Sequence, residues 1–407
     1  MSVEFVISFQ SFYDSGLLVS NCSFHPHEPV LACAVEHGTV FLYHQDVTPQ
    51  TVGSIVPLSK WKETVLNPVS TQYPVSNASC LQWDADGRRL AVGYENGTLI
   101  LWSRDGCRLF ERRKHTANIG SIRWNPIQLN IFASGSNDRV LYHKSLGNNG
   151  SLARDISWMR TSALVWDADK KPSPLVQRFV DPDGHRIDEV VWISGTQFAL
   201  YSKDQNDGII RICQIGREHP IMSFVHGDSI NSVRWNSQLN LLASVSSFDI
   251  NKETPRVILQ IWSPNQIDPI KRLIQTQSEV RCIDWFTQEN DKPLLIVGGC
   301  ADGSIIVWNL NNEVNSHQRL DDGHYVAIND LSFSPNRRWL ASIDRDGNLI
   351  IRLAKDWRKV YETKTETSNC QRALSWSGSS DKLAIVVARF ELAEHFATGA
   401  AFVYRSG

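Results

Sequence analysis

The chain has 407 residues, 42% of them hydrophobic, and its 41 basic and 43 acidic residues leave a formal charge of −2. That near-balance removes any global electrostatic reason to bind nucleic acid or an anionic membrane, and no apolar run reaches the roughly 18 residues of a membrane-spanning helix. The opening MSVEFVISFQSFYDSG has no basic n-region, so a chain that is not secreted is expected, and eight scattered cysteines with no CxxC pair read as reduced core residues.

In chain order, VEFVISFQ (3–10) reads as a strand, and a phrase then recurs: an apolar strand ending on an aromatic, a polar turn, and a second apolar strand. Examples are SCLQWDADGRRLAVG (79–93), GSIRWNPIQLNIFASG (120–135), NSVRWNSQLNLLASV (231–245), RCIDWFTQENDKPLLIVGG (281–299) and NDLSFSPNRRWLASI (329–343). With the aromatic as marker, the units fall at Phe24, Trp83, Trp124, Trp192, Trp235, Trp285, Phe333 and Trp376. A second phrase follows within units, an Asp-Gly or Asn-Gly turn leading into a run that ends on an aromatic: NGTLILWS (96–103) and DGSIIVWNL (302–310). Looser copies are SALVWDADK (162–170), DGIIRICQI (207–215) and DGNLIIRLA (346–354). Excess length is assigned to insertions at 46–76, 137–162, 248–256 and 391–399, all expected as surface loops.

The shorter intervals, such as the 41 residues from Trp83 to Trp124, lie near the roughly 40 to 45 of a four-stranded propeller blade. The Gly of each turn supplies the positive φ of a tight hairpin. The following run is continuously apolar because blades pack face to face. The expected fold is therefore all-β: a single eight-bladed propeller over 1–407, its ring closed by the N-terminal strand. His115, His226 and His324 precede the inner strands of units three, five and seven, where they are expected to join an Asp or Asn of the tight turn in a buried network satisfying the tryptophan indole. Arg352 and Cys213 stand where Trp308 stands in its own unit.

Motifs for nucleotide, zinc or nucleophilic-serine chemistry are absent, so no catalytic, cofactor-binding or metal-ligating residue is assigned. HPHEP (25–29) reads as the turn after inner strand one. Arg112, Arg113 and Lys114 form the densest basic segment, expected in a connection where it is either solvated or meets an acidic partner. A propeller's recurrent use is binding at the mouth of its channel, near the start of the inner strands. The residues four before each marker are Ser20, Ser79, Gly120, Asp188, Asn231, Arg281, Asn329 and Arg372, a polar ring without an aromatic. Of these, Asp188, Asn231, Arg281, Asn329 and Arg372 are the candidate partner-binding residues, the arginines suited to carboxylate or phosphate.

The His226-Gly227 pair, the DGSIIVW phrase, the Trp166-Asp167 dipeptide and the recurring markers resemble a WD-repeat β-propeller. More specifically, ICQIGREHPIMSF with HGDSINSVRWN inside 188–244, together with RDGCRLFERRKHTANIGSIRWN (104–125), resembles the propeller of the transducin-β-like (Ebi- and Sif2-type) corepressor subunits. That resemblance implies a non-enzymatic scaffold in a nuclear histone-deacetylase corepressor or chromatin complex, binding proteins or peptide segments such as a corepressor, a deacetylase or a histone tail. It implies neither sequence-specific nucleic acid nor membrane binding, and a nuclear, otherwise cytoplasmic, location. Family members carry an N-terminal LisH module, whereas this chain enters the propeller almost at once. Two further readings stand beside it: a substrate receptor of a ubiquitin ligase, and a WD-repeat structural subunit of another assembly such as intraflagellar transport.

Overall fold

In a computed structural model the chain is described at residues 5–11, 19–44, 62–68, 76–142, 158–170, 174–181, 187–202, 208–226, 229–246, 257–274, 278–287, 294–311, 317–364, 374–380, 382–390 and 397–406. Seven blades are each folded from four consecutive antiparallel strands, hydrogen-bonded in chain order. Their inner strands are Val19–Phe24, Ala78–Trp83, Ile119–Trp124, Glu189–Trp192, Ile230–Asn236, Val280–Phe286 and Ile328–Phe333. We number the blades 1 to 7 in that order. The remaining four-stranded sheet is composite: Leu374–Trp376, Lys382–Phe390 and Ala397–Ser406 are completed by Phe5–Ser11, which pairs antiparallel to the last strand.

The expectation of eight blades is corrected accordingly. The continuous four-strand unit occurs seven times, and the terminal sheet, drawn from both ends of the chain, is not an eighth copy of it. Two expected loops are also corrected. The segment 46–76 contains Lys62–Leu66, the outer strand of blade 1. In 137–162 the hairpin of blade 3 continues as a ribbon, with Val140 opposite Arg160 and Tyr142 opposite Trp158. Alternation in these strands is weak, which hid them. The segment 248–256 lies outside the described residues, as does 391–396, while 397–399 begins the last strand.

Apolar side chains fill the wedges between blades. Leu90, Val92 and Ile100 of blade 2 pack on Ala32, Val40 and Leu42 of blade 1, and equivalent clusters join each later pair. Leu383 extends the series from blade 7 to the terminal sheet, and Ala384 from that sheet to blade 1. Burial on both faces accounts for the unbroken apolar runs, such as Val30–Val35, in which every residue is buried.

Gly97 and Gly303 show why the tight turn demands glycine. Both have positive φ, 82° and 88°. A Cβ at either would stand 2.4 Å from a backbone oxygen, of His115 and His324 respectively. The turn of one blade is thus clamped against the connection entering the next.

In blade 3 the buried network is complete. Trp166 Nε1 donates to Ser134 Oγ at 2.8 Å, His115 bridges Ser134 Oγ at 2.8 Å and Asp138 Oδ2 at 2.5 Å, and Ser162 donates to the same carboxylate. Blade 7 keeps His324, Ser342 and Asp344 but places Arg352 at the tryptophan register. Arg352 is buried and pairs with Asp322 at 2.9 Å and with Trp357 O at 3.0 Å. Blade 4, with Cys213 at that register, uses a buried Arg211–Asp181 pair. In blade 2 Val92 replaces the serine.

Burial alone would raise the Asp138 and Asp344 carboxyls, but hydrogen bonds from His115 and His324 hold both below the ordinary range. Their stabilisation is therefore complete above the unfolded value of about 3.9 and lost as pH falls through the depressed value. Asp344→Asn should flatten the loss of stability below about pH 4, measured by urea unfolding across pH. Ser134→Ala, which strands both Trp166 and His115, should cost about 2 kcal/mol at neutral pH.

Candidate interaction surface at the channel

Six of the seven inner strands carry a β-bulge at one place. The pairing with the second strand skips a residue between Val19 and Asn21, Ala78 and Cys80, Ile119 and Ser121, Ile230 and Ser232, Val280 and Cys282, and Ile328 and Asp330. The skipped residues are Ser20, Ser79, Gly120, Asn231, Arg281 and Asn329, the residues four before the markers. In blade 4 the strand begins at Glu189, and the Asp188 amide donates to Tyr201 O at 3.1 Å.

A bulge inserts one residue and re-aims a side chain. Three of these side chains reach the first residue of the next inner strand: Ser20 Oγ to Ala78 O at 2.8 Å, Ser79 Oγ to Ile119 O at 2.7 Å, and Asn231 Nδ2 to Val280 O at 2.9 Å. Asn231 also donates to Glu279 Oε1 at 2.8 Å, and Ser202 Oγ donates to Asp188 at 3.3 Å. Asp188, Asn231, Arg281 and Asn329 are all half-exposed around the central seam. Arg372 lies outside the described residues.

The residue one before the marker is also partly accessible. In blades 3, 5 and 6 it is charged, as Arg123, Arg234 and Asp284, and these form a charged cluster that the sequence reading did not assign. Arg123 Nη2 meets Glu189 Oε1 at 2.9 Å, Arg234 Nη1 approaches the same oxygen at 3.7 Å, and Tyr201 donates to Glu189 Oε2 at 2.5 Å. Asp284 accepts the Phe333 amide at 2.9 Å; burial raises its pKa, opposed by that hydrogen bond and by Arg234. Burial alone would lower the Arg234 pKa, but Glu189, Tyr201, Asp284 and Asp330 raise it overall. The signal available in sequence was the repeated IRW, VRW and IDW, a charged residue immediately before each of three markers.

The other candidates resolve differently. Glu111, Arg112 and Arg113 belong to the outer strand Arg108–Arg113 of blade 2 rather than to a connection, because the strand's pairing with Thr98–Ser103 continues to Arg113. Arg112 donates to Glu111 O, Arg113 to Asn96 O, and Arg178 donates to Lys114 O. HPHEP is a turn: His25 Nδ1 accepts the His27 and Glu28 amides, and the His25 and His27 rings reach Gly87 O and Ala85 O of blade 2 at 2.8 Å. Among the described residues no group of three or more His, Cys, Asp or Glu is placed to hold a metal ion, and no helix is long and apolar enough to cross a membrane. Burial pushes the Cys22, Cys80 and Cys213 thiols up to about 12, so they are protonated core groups.

The WD domain, G-beta repeat, family model matches residues 68–103, 268–309 and 315–351. The chain carries WD40 repeats. The matched segments contain the Asn-Gly or Asp-Gly turns of blades 2, 6 and 7, whose glycines all have positive φ. The chain is 22% identical over 301 residues to the WD repeat-containing protein srw1 of Schizosaccharomyces pombe, covering 73% of this chain and 46% of that protein. It is 20% identical over 298 residues to the SIR4-interacting protein SIF2 of Saccharomyces cerevisiae, covering 71% and 51%. It is 24% identical over 167 residues to the F-box-like/WD repeat-containing protein TBL1X of Mus musculus, covering 41% and 26%. The alignments thus span about half the length of the first two relatives. The crystal structure of the C-terminal WD40 domain of Sif2 superposes with a TM-score of 0.68 over 99% of this chain and 100% of that one, at 18% identity, which establishes the shared fold.

The charged cluster makes a direct prediction. Glu189→Gln leaves the half-exposed Arg123 and Arg234 without their shared carboxylate and should destabilise the propeller by about 1 to 2 kcal/mol. Chemical denaturation at low and high salt checks this: part of the loss should return at about 1 M salt, where like-charge repulsion is screened.

Proposed function

We propose that the chain is a non-enzymatic protein-interaction scaffold, acting as a subunit of a nuclear histone-deacetylase corepressor or chromatin complex. Partner chains bind at the channel mouth, through Asp188, Asn231, Arg281, Asn329 and Arg372. The observation that carries this reading is the recurrent bulge. In blades 1, 2, 5, 6 and 7 it holds an accessible polar side chain at the same place, on backbone that the neighbouring strands fix. A ring of donors and acceptors with no catalytic pair suits recognition of an extended peptide more than bond making. The similarity to SIF2 and TBL1X supports the choice of complex.

Affinity purification from the protein's own cells, with copurifying chains identified by mass spectrometry, tests both parts. The wild type should recover a deacetylase or corepressor, and Arg281→Glu with Arg372→Glu should lose it while keeping the melting temperature. Recovery of a ligase adaptor instead would replace the corepressor reading with that of a substrate receptor. Undiminished recovery by the double variant would move the contact away from the mouth.

A further inference from the structure

Two outer strands and the connection between them bring four cations to the wedge between blades 2 and 3. Arg112 stands opposite Leu99, and Arg178, in the outer strand Leu175–Val180 of blade 3, stands opposite Leu164. Leu99 and Leu164 belong to one apolar cluster between these blades. Paired residues of antiparallel strands share a face, so Arg112 and Arg178 lie on the two facing walls of that wedge. Arg113 and Lys114 follow at its mouth-side rim, where the connection leaves for Ile119, the bulge end of the next inner strand. Arg113 and Lys114 are exposed, Arg112 and Arg178 half-buried. The wedge is bridged directly, by Arg178 Nη2 donating to Lys114 O at 2.7 Å.

The backbone beneath these cations is fixed. The His115 ring is buried between Ser134 and Asp138, the Thr116 and Ala117 amides donate to Asp138, and Gly97 of blade 2 packs against His115 O. Arg112 Nη1 donates to Glu111 O at 2.7 Å and Arg113 Nε to Asn96 O at 2.9 Å, which orients both guanidinium groups. Carboxylates of the adjoining segments are turned to other partners. Glu111 stands opposite Ile100, on the face toward blade 1, and pairs with Arg108. Glu95 accepts from Asn77, Asp138 is buried against His115, and Asp181 is buried against Arg211 of blade 4. Among the described residues no carboxylate forms an ion pair with Lys114 or Arg178. In a chain whose charges nearly balance, this wedge holds a local positive excess that repels itself, and a bound anion relieves that repulsion.

We propose that the wedge of blades 2 and 3 is a docking site for an extended, acid-rich peptide segment of a partner protein, whose carboxylates meet Arg112, Arg113, Lys114 and Arg178. A single carboxylate cannot serve side chains drawn from both walls and the rim, whereas successive acidic residues of one segment can. Guanidinium forks take carboxylates bidentately, so the arginines add geometry to charge. The site uses none of the residues around the channel and is independent of the corepressor assignment.

The test is selection of a random dodecapeptide phage library on the full chain, with counter-selection on the Lys114→Glu, Arg178→Glu double variant. Enriched sequences are synthesised with acetylated and amidated ends and titrated by fluorescence anisotropy. The expected result is a set of sequences rich in Asp and Glu. Their affinity should fall at least about tenfold with Lys114→Gln plus Arg178→Gln, weaken as salt rises, and stay unchanged with Arg281→Glu. Arg178→Lys, which keeps the charge, should lose less than Arg178→Gln, and melting curves confirm the fold of each variant. The proposal is overturned if no enriched sequence depends on Lys114 and Arg178, or if the dependent sequences show no excess of acid. Peptides lost only with Arg281→Glu would support the mouth and reject this site. Displacement of the peptide by inorganic phosphate or a DNA duplex at lower concentration than by unlabelled peptide would also overturn it, assigning the cations to phosphate.

Discussion

The seam between neighbouring inner strands is the constraint on which the rest of the molecule depends. Each inner strand is only about six residues long, too short to hold its place by its own ladder. In blades 2 and 5 it is fixed at both ends by the next sheet, and in blades 1, 3 and 7 at one. At the bulge end, serine or asparagine side chains reach the first carbonyl of the following strand. At the marker end, the indole N–H of Trp124, Trp192, Trp285 and Trp376 donates across the seam to the carbonyl of Gln82, Arg123, Arg234 and Ser332. At these four positions the marker aromatic is a latch as well as core filling, and the same four-residue interval that spaces marker from bulge positions the polar side chains around the channel.

Outside the seam, the blades tolerate considerable substitution. The Trp–Ser–His–Asp network is whole in blade 3, lacks its tryptophan in blade 7, and keeps only its tryptophan in blade 2. Blade 4 holds the incoming connection with a buried arginine–aspartate pair instead, and blade 7 with a buried arginine that reaches the exposed Asp322. A charge pair of this kind gains little net stability but is costly to break, so it fixes the geometry of its connection. Sequences that depart from the repeat pattern at one position thus keep the blade by satisfying the same backbone end with different chemistry.

Much of this was legible in sequence, for identifiable reasons. The marker aromatics and the Asp-Gly turns are demanded by latch and hairpin, so they recur and could be aligned; the register equivalence of Arg352 and Cys213 with Trp308 followed from the same alignment and is what the strand pairing shows. The outer strand Lys62–Leu66 was missed because, with only Leu66 buried and Thr64 partly so, it has no apolar signature. The ribbon of blade 3 was missed because its excess length resembled a loop. The continuous unit numbers seven rather than eight because the last sheet borrows its fourth strand from the other end of the chain, so only part of it follows Trp376 in sequence.

The channel was half legible. Strict alternation would put residues three apart on opposite faces, so a pattern reader choosing the position four before the marker would not look one before it. The bulge removes that conflict: the accessible positions are 79 and 82, 120 and 123, 231 and 234, 281 and 284. Glu189 ties Tyr201 of its own blade to Arg123 of blade 3 and Arg234 of blade 5, so three blades had to be in place for the cluster to be seen. Whether the mouth is where partners sit is the central claim, and site-specific photo-crosslinking in cells tests it most directly. With a photoreactive phenylalanine at Asn231, Arg281 or Asn329, and at the half-exposed outer-strand residue Val65 as control, covalent adducts to other proteins should form from the mouth positions. Adducts from Val65 alone would contradict it.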